Sequence, residues 1–256
     1  MNRSLFFCTL AALTITSANA IAQEEHFDVF VGISGSDTAY GGIDVDEGDI
    51  TPDERIFEAE LEELDLGPGL GMIFTGDEPG FNHPGPADAG FGMLPPGVTA
   101  LAEFDEVFVN KLPLTIDGTT ADLFFWDGTG TPSFSEATGT LFDIVAGTGG
   151  SIGDAGLGGD FDDHPEFELS TPSGSLPTPG IYIGSFDVRV NSLSASDQLF
   201  LVMGTDGLAP TDEELEELIE MGVDFVATNV IPEPSAIVLL AIAGVGLLNG
   251  RGTRRS

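Results

Sequence analysis

Positive charge is nearly missing from this sequence. Seven Lys and Arg stand against 43 Asp and Glu, a formal net charge of −36. Arg3, Arg251, Arg254 and Arg255 lie at the two ends, so only Arg55, Lys111 and Arg189 are cationic between them. Such a field repels nucleic acid and anionic membrane surfaces and attracts cations, so nucleic acid is excluded as a partner. Cysteine is as scarce, with a single residue, Cys8, near the start. An exported body without it has no disulfide, no thiolate metal ligand and no cysteine nucleophile. It must stand on its core alone. Also missing are a glycine-rich phosphate loop, a dinucleotide fingerprint and a zinc-protease helix. The glycine-rich stretches show no fixed period, which removes solenoid and calcium-repeat architectures. Threonines are scattered, so a flat ice-binding array is not expected.

What is abundant points to strands. Thirty-five Gly and 19 Phe in 256 residues predict many tight turns around an aromatic core. That pattern belongs to all-β proteins more than to helical ones.

Both ends carry processing signals. Arg3 supplies a positive region, and Leu5 to Ile15 an apolar stretch of about eleven residues, too short to span a bilayer. Small residues follow, predicting cleavage after Ala20 or Ala22. Residues 1–22 therefore read as a signal peptide for the Sec machinery and signal peptidase. At the other end Pro232-Glu233-Pro234 precedes a hydrophobic helix over about 235–249 and a basic tail, Arg251, Arg254 and Arg255. The apolar run reaches roughly 21 Å as a helix, against a hydrocarbon core of roughly 30 Å. Gly244 and Gly246 weaken it as a helix. The arginines should stay cytoplasmic and leave the body on the far side. A segment so short fits transient residence in the inner membrane.

These three elements, in this order, resemble the PEP-CTERM sorting signal of Gram-negative bacteria. The resemblance covers residues 230–256. It implies recognition and cleavage by a membrane exosortase, then release to, or retention at, the cell surface or extracellular matrix.

Residues 23–229 form the expected acidic, β-sandwich-like domain. HFDVFVGIS alternates with Phe27, Val29 and Val31 on one face. FDEVFVNKLPLTI, DLFFWDG, GTLFDIVAG, PEFELST, GIYIGSFDVRVNSL and DQLFLVMG follow at spacings suited to a sandwich. In RIFEAELEELDL the alternation of Phe57, Ala59 and Leu61 competes with a helical reading, and strand is expected. Ile181 and Ile183 differ in parity from Phe186, Val188 and Val190, which predicts a bulge around Gly184-Ser185. One helix is expected in TDEELEELIEMG, with Thr211 and Glu214 as a capping box and Gly222 as its end. The stretches from Gly67 to Gly97 and from Ala146 to Glu166 read as loops.

The densest set of ligand-type residues is Asp160, Asp162, Asp163 and His164, with Glu166 beside it. Carboxylates with one imidazole suit a divalent cation, and His26 and His83 would join if the fold brings their loops together. The competing reading is an acidic turn leading into a strand. The run from Asp44 to Asp49 fails as an EF-hand, which needs Gly at its sixth position and Glu at its twelfth, where Asp49 and Arg55 stand. Oxygen-rich turns bind calcium without that motif, so Ca²⁺ is the cofactor to consider. GGSIG matches a nucleophile elbow around Ser151, but glycines rather than a helix follow it. Trp126, Tyr40 and Tyr182 are the few flat polar-edged rings that a sugar could stack on, and Trp126 reads first as a core anchor.

HFDV at the start of the body, DEPGF (Asp77–Phe81), FWDG (Phe125–Gly128) and HPEFEL (His164–Leu169) are similar to pieces of exported planctomycete-like proteins bearing the same sorting tail. That resemblance implies a β-sandwich and no particular activity. The expected function is a non-catalytic, structural or adhesive protein of the cell surface or matrix, assisted by divalent cations. The alternatives are a carbohydrate-binding module facing extracellular polysaccharide, and a secreted hydrolase using a metal or carboxylates near His164.

Overall fold

The computed structural model describes residues 27–44, 48–85 and 93–231. Residues 1–22 with Ala20 and Ala22, His26, and the sorting segment containing Pro232, Glu233, Pro234, Arg251, Arg254 and Arg255 lie outside the described residues. Among the described residues no helix is long and apolar enough to cross a membrane.

The chain is mostly strand, as its composition predicts. β1 (Phe27–Ser34) and β2 (Asp37–Asp44) form a hairpin that β3 (Ile50–Pro52) extends, and β4 (Ile56–Asp65) and β5 (Met72–Gly76) form a second. β6 (Phe81–His83), β7 (Glu106–Lys111), β8 (Leu114–Ile116), β9 (Thr119–Ala121) and β10 (Phe124–Trp126) follow. Then come β11 (Ser135–Glu136), β12 (Leu141–Ile144), β13 (Ser151–Asp154), β14 (Phe161–Asp163) and β15 (Phe167–Ser170). The long strands β16 (Ile181–Val190) and β17 (Leu199–Thr205) precede α1 (Asp212–Asn229), the single α-helix among the described residues.

One sheet has the order β14-β6-β1-β2-β3, with β1 and β6 parallel. The larger runs β11-β10-β16-β17-β4-β5-β15-β12, with β7 along the second half of β16 and β13 beyond it. The main apolar cluster is shared by both sheets: Val29, Val31, Phe81 and Phe161 meet Phe57, Phe74, Phe186 and Leu201. A second cluster lies on the other face of the larger sheet, where Ile181, Ile183, Phe200 and Val202 meet Leu215, Ile219 and Val226 of α1. Central strands covered on both faces lose the apolar–polar alternation, and β17 is buried at every position.

That two-sided burial corrects the expected bulge. β16 pairs with β17 and then β7 without a shift of register, Phe186 facing Leu199 on one side and Lys111 on the other. Ile181 and Ile183 point to the helix cluster, while Tyr182, Phe186, Val188 and Val190 point to the main one. The change of parity marks two buried faces, not an inserted residue.

Three other expectations change. The run ending near Ile116 divides: Leu112 donates its N–H to the Ser185 carbonyl, and the chain turns at Pro113 into β8. The helix does not stop at Gly222 but continues to Asn229. Gly222 is buried there, and a Cβ on it would lie 2.8 Å from Val202 Cγ1 and 3.1 Å from Ile181 Cγ2. Glycine lets the helix approach the sheet. At the other end Thr211 supplies its half of the expected capping box, its Oγ1 accepting the Glu214 N–H at 3.3 Å. Lastly, both glycine-rich stretches contain strands, β5 and β6 in the first and β13 and β14 in the second. RIFEAELEELDL is a strand, β4, as its alternation predicts.

Candidate metal centre

The register of three neighbouring strands builds the site. Phe30 of β1 pairs with Asn82 of β6, and Asn82 with Asp162 of β14. Two residues further along, Asp28, Gly80 and His164 fall in one row on the same face. The middle member has no side chain, so the outer two meet over it. A Cβ on Gly80 would lie 2.5 Å from His164 Cε1 and 2.9 Å from Asp28 Oδ2. Asp162, two residues before His164 on the same face, completes the group. One donor atom from each of Asp28, Asp162 and His164 lies within 4.8 Å of the others.

Hydrogen bonds fix the donors. The Gly80 N–H donates to Asp28 Oδ1 at 2.9 Å. Asp28 is only 3% exposed, and its other oxygen, Oδ2, has no hydrogen-bond donor among the described residues. His164 Nδ1 lies 3.1 Å from the Asp77 carbonyl oxygen, which only accepts, so Nδ1 carries the proton. Nε2 is then turned to the carboxylates, 3.3 Å from Asp162 Oδ1. Glu78 stands on the opposite edge of the ring, with Oε1 3.9 Å from Nδ1, and its Oε2 accepts from Gly80 N–H.

The electrostatics follow from this crowding. Burial, then repulsion from Glu78, pushes the Asp28 carboxyl up to about 6, with His164 and the Gly80 N–H acting the other way. Burial alone would depress His164. The Asp77 carbonyl and the carboxylates of Asp28, Glu78 and Asp162 outweigh it and hold the imidazole above its ordinary value. Among the described residues no lysine or arginine assists. Arg55 donates to the Gln198 carbonyl beside the Phe200 ring, Lys111 binds the Phe142 carbonyl and Asp143, and Arg189 lies over Phe108. Among the described residues only the His164 proton or an incoming cation can balance these carboxylates.

Of the four ligand candidates read from the sequence, Asp162 and His164 are brought together, and Asp160 and Asp163 are not in the group. Asp163 has the opposite parity on β14 and turns its carboxylate to Gly153, where burial raises its pKa. Asp160 precedes the strand and lies against Gly156. Asp28 is the member of the group that sequence reasoning missed. Its only signal was a lone charge in the otherwise apolar run FDVFV. His83 does not join either. It is buried, donates from Nδ1 to the Val31 carbonyl at 2.7 Å and accepts the Leu101 N–H on Nε2 at 3.4 Å.

Three further features bear on the alternatives. Ser151 opens strand β13 after a 3-10 turn at Thr148–Gly150, the reverse of the strand-then-helix order of a nucleophile elbow. A polar groove of about 580 Å³ is lined by Lys111, Asp122, Glu136, Asp143, Glu168 and Ser170 among others. In it Asp143 and Glu168 face each other across β12 and β15. Trp126 and Tyr182 are buried core rings, with Trp126 Nε1 donating to the Thr129 carbonyl. Comparison with protein-family models, with curated proteins and with solved structures found no match.

Proposed function

We propose that this chain is an exported, non-catalytic structural or adhesive protein of the cell surface or extracellular matrix, with a β-sandwich-like body clasped by a divalent cation. The sandwich reading is supported by the apolar cluster that both sheets share. The cation reading is carried by one observation, the meeting of Asp28, Asp162 and His164 over Gly80. An ion there would join β1 to the end of β14, two segments far apart in the chain, and would act as a staple on the smaller sheet. The route outward follows from the ends: the Sec machinery, signal peptidase acting after Ala20 or Ala22, transient residence in the inner membrane, and exosortase acting at the Pro232-Glu233-Pro234 signal.

Two measurements test this. The mass of the protein recovered from the surface and culture fractions should correspond to a chain trimmed at both ends; full-length molecules held stably in the inner membrane would refute the sorting route. Melting of the metal-stripped protein should shift upward with an added dication and not in Asp28→Asn. An unshifted midpoint with every dication tried would refute the clasp.

A second reading, saccharide binding, is supported by the groove around Asp143 and Glu168, whose carboxylates and threonine and serine hydroxyls suit sugar hydroxyls. With Trp126 and Tyr182 in the core, neither ring can serve as a stacking platform. Retention on an insoluble polysaccharide that is lost in Glu168→Ala and Asp143→Ala would favour this reading; equal retention of all three would count against it.

A further inference from the structure

The kind of cation follows from the donors. We propose that Asp28, Asp162 and His164 hold a zinc-class dication in preference to calcium, an inference that rests on the cation reading above. Calcium is hard and takes six to eight oxygen ligands. Here the donors that converge are two carboxylates and one imidazole nitrogen, a mixed set suited to first-row transition metals. Glu78, the nearest additional carboxylate, faces the Nδ1 edge of the ring rather than Nε2.

Three details of this chain fit that choice. The Nδ1 proton is held by the Asp77 carbonyl, the partner that commonly orients a metal-binding imidazole and leaves its Nε2 lone pair outward. The 3.3 Å between His164 Nε2 and Asp162 Oδ1 matches neighbouring ligand atoms of a tetrahedron with bonds of about 2.0–2.1 Å. Asp28 Oδ2, on a residue nine-tenths buried and more, points at the same place without a hydrogen-bond donor among the described residues. Asp162 and His164 are exposed, so water can supply the remaining position.

The experiment uses the untagged full chain, stripped with chelator, and compares it with His164→Gln, Asp28→Asn and, as a control, Asp160→Asn. His164 and Asp160 are exposed, so those variants keep the fold. Micromolar Zn²⁺ should raise the melting midpoint with one-to-one stoichiometry, and Co²⁺ should give visible bands of a four-coordinate site. Both signals should be lost in His164→Gln and Asp28→Asn, with binding at least about ten-fold weaker, and kept in Asp160→Asn. A midpoint raised by millimolar Ca²⁺ but not by Zn²⁺, and unaffected by His164→Gln, would overturn the zinc-class assignment and leave the clasp standing. No shift with either metal would overturn both. A Zn²⁺ shift undiminished in His164→Gln would place the ion elsewhere and refute the site.

Discussion

Replacing Asp28 with Asn in metal-free protein should make the fold more stable at pH 6 and leave it nearly unchanged at pH 4. Asp28 sits in the row with Gly80 and His164, and its carboxyl is pushed up to about 6 from an ordinary 3.8, chiefly by burial. Because the folded value is the higher one, the native state binds the extra proton between these pH values. The carboxylate's contribution to stability therefore falls as pH rises from about 4 through about 6 and levels off about one pH unit above that. A tenfold change in proton affinity is worth about 1.4 kcal/mol, so the penalty is under about 1 kcal/mol at pH 4 and about 2.5 kcal/mol at pH 6. Asparagine keeps an oxygen for the Gly80 N–H, nearly the same volume, and no charge. Below pH 6.5 His164 is mostly protonated both folded and unfolded, because its folded value is raised, so it adds little slope of its own in this window. Urea denaturation of both proteins at the two pH values, in chelator, reads the difference directly. A variant equally destabilised at pH 4 and pH 6 would refute the idea that Asp28 is held charged at the fold's expense. The natural residue would then have to be explained by packing rather than by what it binds.

Three further outcomes follow from geometry. Gly80→Ala should abolish any metal-induced shift, since the new Cβ must push the His164 ring from Asp28; an unchanged shift would refute the row of three strands. Gly222→Val should cost about 2 kcal/mol or more by forcing α1 off Val202 and Ile181, whereas Thr211→Ala should cost about 1 kcal/mol through the lost cap, both read by denaturant midpoint. His83 should stay neutral with its proton on Nδ1 below pH 6.5, where His164 is already charged; two-dimensional NMR of the imidazoles checks this. Burial lowers the His83 pKa against the pull of the Val31 carbonyl, so its contribution to stability is full above 6.5 and lost as pH falls towards the folded value.

Strands with period-two apolar patterns were legible from the residues. β1, β4, β15 and β17 lie where Phe, Val, Ile and Leu alternate or run together. β6 and β14 were not, because FNH and FDD are short, half polar and flanked by glycine and proline, a composition that also describes loops. The site inherits the same limit. Asp162 and His164 are two apart, so a strand there places both on one face, but nothing local reveals that the passage is a strand. Asp28 meets them through a parallel pairing with β6, a long-range register that no window of sequence contains. Gly222 misleads for a different reason: glycine does end many helices, but here it marks close approach to a sheet, which depends on what lies across the interface.

The scarcity of cations ties the site to the rest of the molecule. A net charge of −36 acts in two ways that salt separates. Repulsion among exposed carboxylates is screened over a Debye length of about 8–10 Å near physiological ionic strength, so added NaCl should stabilise the wild type and His164→Gln alike. The carboxylate of Asp28 is buried and not reached by that screening to the same degree, and Arg55, Lys111 and Arg189 are all engaged elsewhere. Its compensation must come from a group seated within a few ångströms, the His164 proton or a bound dication. The stabilisation by a dication should thus persist in high NaCl when His164 is present and be lost without it. If high NaCl instead erased the dication's effect in the wild type, the ion would be part of the diffuse atmosphere around an acidic surface, and the convergence of Asp28, Asp162 and His164 would have no bearing on it.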